Sequence, residues 1–122
     1  MPDKEKIVII STIGNENPEK ASLPFVLAVA AQVTDVDVVI ILQASAVELA
    51  KKGEAEKINA KDLMPLKELL DNYISQGGKL NLCSPCLKAR NITREELIDG
   101  SVIIAAGTVV SEVLSAKSVV TY

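Results

Sequence analysis

The 122-residue sequence contains no histidine and no tryptophan, and its aromatic residues are two tyrosines and one phenylalanine. Without histidine, the chain cannot build a Ser-His-Asp or Cys-His catalytic arrangement. It has only two cysteines, whereas a zinc site needs about four protein ligands. We therefore expect no metal site, and any covalent chemistry is expected to depend on sulfur.

Two classes of partner have no support in the composition. The net charge is −3, and no basic helix with interleaved aromatic residues suggests nucleic-acid binding. Residues 21–34, the longest nearly uncharged stretch, contain a proline and are too few to span a bilayer. Residues 1–6 lack the form of a signal peptide. We expect a cytoplasmic protein with no membrane span and one domain over residues 1–122, since this length suits a single core.

Short apolar runs rich in β-branched residues alternate with helical patterns along the chain. The runs cover residues 6–10, 36–42, 79–82, 101–105 and 117–120. Such runs are typical of strands covered on both faces, as in a parallel sheet. The alternation predicts a three-layer α/β/α single domain with about five mainly parallel strands.

Capping residues predict where several helices begin and end. Asn17 and Pro18 predict the start of a helix that reaches about Val33, although Pro24 allows a later start. Asp62 predicts the cap of a helix over 63–76. Further helices are expected over 44–52, after Pro85, after Thr93 and over 109–115; the one after Thr93 begins with a capping-box pattern.

The two cysteines, Cys83 and Cys86, lie between the predicted third strand and the next helix. Parallel sheets carry their working groups at this kind of position, the carboxyl end of a strand. Backbone N–H groups at a helix start stabilise a thiolate, so we predict that the pKa of Cys83 is lowered. The alternative is that both cysteines are merely small buried residues.

The surrounding charges are of one sign, because residues 72–94 include no Asp or Glu. Within this stretch, Lys88 and Arg90 are predicted to stabilise an anionic thiolate or persulfide. The alternative is that they only complement the end of a short helix. Asn91 is expected to close this helix in the left-handed conformation.

Other loops are expected at the same edge of the sheet. We predict that the pocket around the cysteines is lined by Ser11, Gly14, Gln43 and Gly107. The loop at 11–17 lies directly before a predicted helix, and anions can bind at such a position. It lacks the glycine spacing of nucleotide-binding loops. A plain connection between strand and helix is the alternative.

The sequence Cys83-Ser84-Pro85-Cys86 is similar to the thioredoxin motif. In that fold the pair comes early in the chain and a later proline faces it. Here the pair lies two-thirds of the way along and no proline follows it. The thioredoxin fold is therefore disfavoured, but dithiol chemistry is still open.

The whole chain resembles the DsrE/DsrF-like family of small sulfur-handling proteins. The resemblance rests on the order of elements, on strand 36–42 leading into QASA at 43–46, and on LNLCSPCLKARNI at 80–92 followed by LIDG at 97–100. It implies a five-stranded α/β fold, homotrimers or homohexamers, and sulfur relay through a cysteine persulfide.

The resemblance also implies a role for each cysteine. In relay members a cysteine lies eight residues before the glycine that closes the next helix, and Asn91 has that closing position here. Cys83 thereby matches the relay cysteine, while Cys86 matches a cysteine that other members carry five residues before the close. We expect Cys83 to carry sulfur and Cys86 to act as its resolving partner or to replace it.

Three functions follow as hypotheses. The first is a sulfurtransferase-type sulfur carrier that exchanges sulfane sulfur with donor and acceptor proteins and needs no organic cofactor. The second is a thiol–disulfide redox protein that uses the Cys83/Cys86 pair. The third is a non-enzymatic oligomeric binding protein whose cysteines line a ligand pocket.

Overall fold

One five-stranded parallel sheet organises the computed structural model, which describes residues 4–122. The strands are β1 (Lys6–Ser11), β2 (Asp37–Leu42), β3 (Leu80–Cys83), β4 (Ser101–Ile104) and β5 (Ser118–Thr121). They lie in the order β4-β3-β2-β1-β5, and every neighbouring pair is parallel. The prediction of an α/β domain with about five parallel strands is confirmed.

In the described part of the chain, four α-helices connect these strands, together with three short 3₁₀ segments. The α-helices are α1 (Pro18–Val33), α2 (Leu66–Ser75), α3 (Ser84–Ala89) and α4 (Ala106–Ser115). The 3₁₀ segments are Ala44–Ala50, Ala55–Lys57 and Arg94–Glu96. None of the helices within residues 4–122 has the length and apolar character needed to cross a bilayer.

Helix α1 begins where its capping residues predict. The Asn17 side chain accepts a hydrogen bond from the Lys20 N–H at 3.1 Å, and Pro18 follows as the first helical residue. Pro24 lies inside the helix without ending it. As the seventh residue of the helix, Pro24 removes the one hydrogen bond that its N–H would have donated to the Lys20 carbonyl.

Three predictions of helix boundaries were wrong. Asp62 does not cap α2, since it lies in a turn with φ 63° and the helix begins after Pro65. The helix expected over 44–52 is a 3₁₀ segment that ends at Ala50. The residues after Thr93 form the predicted capping box, but only a single 3₁₀ turn follows.

The two faces of the sheet are covered unequally. On one face, which we call the covered face, α1, α2 and the 3₁₀ segment Ala44–Ala50 bury a large core. Phe25 of α1 and Tyr73 of α2 meet there edge to face, with ring centroids 6.1 Å apart.

On the opposite face, which we call the open face, α4 is the one helix that covers the sheet within the described residues. The core of this face is small and centres on Val8, Ile41 and Ile104. None of the ten residues of α4 is fully buried. This helix therefore leaves apolar side chains in contact with solvent.

Candidate functional site: the cysteine pair

The two cysteines meet at the carboxyl edge of the sheet. Cys83 is the last residue of β3 and the N-cap of α3, and Pro85 lies in the first turn of that helix. One helical turn brings Cys86 back over Cys83, with their Sγ atoms 2.8 Å apart. Both are half-buried free thiols that contact the core of the covered face. The pair can therefore react as a unit.

The environment of Cys83 raises the pKa of its thiol, contrary to the prediction from its place at a helix start. Burial is the main cause, and the contact with Cys86 acts in the same direction. The Cys86 N–H and the Arg90 guanidinium oppose this change without reversing it. Burial disfavours a charged sulfur, and the six-residue helix α3 does not offset that cost.

A backbone donor faces the other sulfur. The N–H of Ala44 points at Cys86 Sγ with an N···S distance of 3.2 Å. Ala44 is the first residue after β2 and Gln43, and its φ of 52° is left-handed. Non-glycine residues rarely adopt this conformation, and such strain is concentrated at functional sites. No signal in the sequence pointed to Ala44, because alanine has no preference for a positive φ.

Arg90 lies at the end of α3 and contacts Cys86 one helical turn earlier. Its Nη1 donates to the Cys86 carbonyl at 3.2 Å, and its Nε lies 3.8 Å from a Glu48 carboxylate oxygen. Asn91 closes α3 with φ 55°, as predicted, and its N–H bonds to the Lys88 carbonyl. Arg90 thus lies beside the cysteines and also forms an ion pair with a glutamate, while its role in stabilising an anionic sulfur stays a prediction.

Lys88 differs from Arg90, although both were expected to stabilise the anion. Its side chain is exposed, and its ammonium group forms no hydrogen bond or ion pair within residues 4–122. It does not contribute to the pKa shift of Cys83. The structure therefore brings Arg90 to the pair and leaves Lys88 in solvent.

A second group of contacts lies beside the pair and includes residues that the sequence analysis did not select. Ser45 Oγ lies 2.5 Å from Glu16 Oε2 and accepts the Gly14 N–H at 3.1 Å. The Gly14 N–H also lies 3.1 Å from the other Glu16 oxygen. The hydrogen bond from Ser45 is the main reason why the pKa of Glu16 is lowered, and Arg90 contributes. Glu16 is therefore ionised at neutral pH.

The four residues predicted to line a pocket have different surroundings. Ser11 is fully buried, and its hydroxyl finds no hydrogen-bond partner among residues 4–122. Gly14 is buried against Ser45, whose carbonyl oxygen would lie 2.5 Å from an added Cβ. Gln43 is half-buried next to Ala44. Gly107 is exposed in α4, with open space around its Cα.

Two cavities lie away from the cysteines. One of about 530 Å³ opens at the amino ends of β1, β2 and β3, and includes Lys6, Asp37 and Asn81 in its lining. Another of about 400 Å³ lies between Lys51, Lys67 and Ile98. Neither is lined by a cysteine or by the four predicted residues. Within residues 4–122, no three Cys, Asp or Glu side chains group closely enough to hold a metal ion.

The fold and the site define a class: a small parallel α/β protein with a dithiol where its third strand meets a helix. The model of the DsrE/DsrF-like family matches residues 5–122. The chain belongs to this family, which is generally linked to sulfur relay.

Relatives and solved structures agree with this assignment. An uncharacterised protein of Methanocaldococcus jannaschii is 30% identical over 117 residues, which is 96% of this chain and 99% of that protein. An uncharacterised protein of Methanopyrus kandleri is 34% identical over 82% of each chain. The crystal structure of the E. coli YchN protein has a TM-score of 0.82 and 25% identity, covering 97% of this chain and 99% of YchN. A Methanobacterium thermoautotrophicum protein of unknown function has the same fold, with a TM-score of 0.74 and 12% identity over 98% of this chain and all of that one.

Proposed function

We propose that this protein is a sulfur carrier of the sulfurtransferase type, which relays sulfane sulfur through a persulfide on the Cys83/Cys86 pair. The observation that carries the proposal is the contact of two free thiols at 2.8 Å beside a backbone donor, in a chain without histidine. The link of the family to sulfur relay supports the same reading.

The transfer needs no oxidant. A thiolate of the pair attacks the outer sulfur of a donor persulfide R–S–SH, so that a new S–S bond forms while the S–S bond of the donor breaks. The donor leaves as R–S⁻ with the electron pair, and the proton stays on the transferred sulfur. An acceptor thiolate then attacks that outer sulfur in the same way and restores the thiolate of the pair.

The attacking sulfur is expected to be the one that bears negative charge more easily. The sequence favours Cys83 for this role, and that assignment stays a prediction. The contacts support the alternative, because burial raises the pKa of Cys83 whereas the Ala44 N–H faces Cys86. We therefore assign acceptance to Cys86, with Cys83 as the neighbouring thiol of the pair.

The partners required are donor and acceptor proteins that carry reactive thiols. The cytoplasm suits this chemistry, since its reducing conditions keep such thiols free. No organic cofactor enters the reaction, because the persulfide itself is the cargo.

The test is intact-protein mass spectrometry after incubation with glutathione persulfide. We expect the wild type to gain the mass of one sulfur atom, Cys83→Ser to gain the same mass, and Cys86→Ser to gain little. The double variant Cys83→Ser/Cys86→Ser is the control. Equal gain by this control and the wild type, or no gain by the wild type, would contradict sulfur relay.

Thiol–disulfide exchange is the second candidate, and the same Sγ–Sγ contact favours it. In that case the pair cycles between dithiol and disulfide with a dithiol partner as reductant. Oxidised wild type would then lose two hydrogens and would gain no sulfur in the assay above. The two functions therefore give different masses.

We also propose that the protein assembles as a homotrimer or homohexamer through its open face. Four large apolar side chains are exposed on this face, namely Val102, Val110, Leu114 and Val119. They extend from the sheet across α4, which has no fully buried residue. Contiguous exposed apolar surface is typical of an interface between proteins.

Light scattering coupled to size exclusion tests the assembly. Leu114→Glu should shift the mass toward a monomer, because it introduces a charge into the apolar face. Val33→Glu is the matched control, since Val33 is 80% exposed and Leu114 is 81% exposed, but Val33 ends α1. A monomeric wild type, or equal effects of the two substitutions, would contradict the proposal.

A further inference from the structure

The feature that leads beyond the proposed function is the strained turn after β2. Ala44 has a left-handed φ, and its N–H is directed at Cys86 Sγ. The φ of a residue sets the direction of its N–H relative to the residues that follow. Ser45 follows Ala44 directly, so the contacts that hold Ser45 bear on the turn that directs the Ala44 N–H at the sulfur.

Ser45 is held by three groups of the loop between β1 and α1. Its hydroxyl lies 2.5 Å from the Glu16 carboxylate and 3.3 Å from the Thr12 carbonyl oxygen, and it accepts the Gly14 N–H. Gly14 has no side chain, which allows it to approach the Ser45 carbonyl; a Cβ there would lie only 2.5 Å from that oxygen. The two loops are thus fastened to each other beside the cysteines.

The carboxylate in this contact is charged and does not act as a proton donor. The Ser45 hydroxyl and the Gly14 N–H both stabilise its negative form, and Arg90 adds an attraction from the side of α3. Arg90 in turn donates to the carbonyl of Cys86. The same cluster therefore joins the β1–α1 loop, the strained turn and the helix that carries Cys86.

We infer that Glu16 and Ser45 are positioning residues for sulfur acceptance: they hold the Ala44 N–H on Cys86 Sγ and thereby make Cys86 the nucleophile of the pair. This inference rests on the proposed function for the transfer itself. It concerns a property that exists without any sulfur donor, namely the ionisation of Cys86. A hydrogen bond to the charged form of a sulfur favours that form.

The experiment is the pH dependence of Cys86 alkylation by iodoacetamide, followed by peptide mass spectrometry in a Cys83→Ser background. In Ser45→Ala and in Glu16→Gln we expect the midpoint to move to higher pH. Below the midpoint, alkylation should become about threefold to tenfold slower, since one pH unit corresponds to a tenfold change in thiolate. Ser45→Thr keeps the hydroxyl and should restore the midpoint.

Two controls separate positioning from general loosening of the fold. Glu19→Gln removes an exposed carboxylate from the first turn of α1, three positions after Glu16, and should leave the midpoint unchanged. Ala44→Gly keeps the N–H and tolerates the positive φ, so it should stay close to the wild type. Thermal unfolding of each variant reports whether it is folded.

The outcomes distinguish this inference from the proposed function. An unchanged midpoint in folded Ser45→Ala and Glu16→Gln overturns the inference, even if the wild type takes up sulfur. A raised midpoint in both variants, with rescue by Ser45→Thr, supports it even if no sulfur is taken up. In that second case the proposed function fails, and what stands is that Glu16 and Ser45 hold the Ala44 N–H on Cys86 Sγ.

Discussion

The covered face and the open face of the sheet differ in how much apolar surface they remove from water. On the covered face, α1 and α2 pack large side chains such as Phe25 and Tyr73, both fully buried. On the open face, α4 packs loosely and exposes most of Leu114. Because buried apolar area is the main source of stability, the covered face holds the domain together and the open face is available for assembly.

The cysteine pair lies with the stable part of the molecule. Cys83 and Cys86 both contact the core of the covered face, and so does Leu87 between Cys86 and Lys88. A site built on helices and strands keeps its geometry more closely than one built on loops. The difference between the faces therefore separates the well-packed region that holds the dithiol from a region that exposes apolar side chains.

The strongest test of this comparison is Phe25→Ala. Phe25 is fully buried and packs edge to face on Tyr73. We expect the free energy of unfolding to fall by about 3–5 kcal/mol, the usual cost of removing a buried phenylalanine ring. Urea denaturation measures the change, and a loss below about 1 kcal/mol would show that the covered face is not the main core.

The next prediction concerns stability at high pH. Burial raises the pKa of Tyr73 to about 12, although the hydrogen bond that its oxygen accepts from the Ile40 N–H opposes the rise. The unfolded chain loses this proton near pH 10, so the folded state binds more protons between about pH 10 and 12. Stability is therefore fully present below pH 10 and is lost progressively above it, by roughly 2–3 kcal/mol in total.

Tyr73→Phe is the control for that measurement. The variant has no phenol at this position, so the decrease assigned to Tyr73 should disappear from its unfolding curves between pH 10 and 12. The same slope in both proteins would mean that another group titrates.

The smallest effects come from two glycines, one near each face. A Cβ at Gly78 would lie 2.4 Å from the Tyr73 ring, whereas Gly107 in α4 has nothing within 4 Å. We expect Gly78→Ala to destabilise by about 1–3 kcal/mol, because it overpacks a buried ring. Gly107→Ala should stabilise by about 0.5–1 kcal/mol, because alanine favours a helix. If thermal unfolding showed that both substitutions change the stability in the same direction, the difference in packing between the two faces would be contradicted.

Local signals in the sequence were sufficient for several features. Asn17 and Pro18 predicted the start of α1, and Asn91 predicted the left-handed end of α3. The place of Cys83 between a strand and a helix was also predicted. Each of these depends on a few adjacent residues whose backbone preferences are strong, so the rest of the fold did not override them.

Other features had no local signal. Ala44 and Asp62 both adopt a positive φ, which neither residue type favours strongly enough to be predicted. The contact between Glu16 and Ser45 joins residues 29 positions apart. The raised pKa of Cys83 also escaped prediction, because burial depends on what packs around the sulfur and the motif itself does not contain that information.

The sequence by itself determined the class of this protein: the alternation of strands and helices, the family, and the cysteine pair at the end of β3. The alternation and the place of the cysteines follow from periodicity, capping and spacing along the chain, and the family follows from the resemblance of the whole chain to its members. Only the tertiary structure decided which sulfur has a backbone donor, which basic residue reaches the pair, and that Glu16 and Ser45 lie beside it. Such properties depend on distances between loops brought together by the parallel sheet, and on the burial that results when those loops pack.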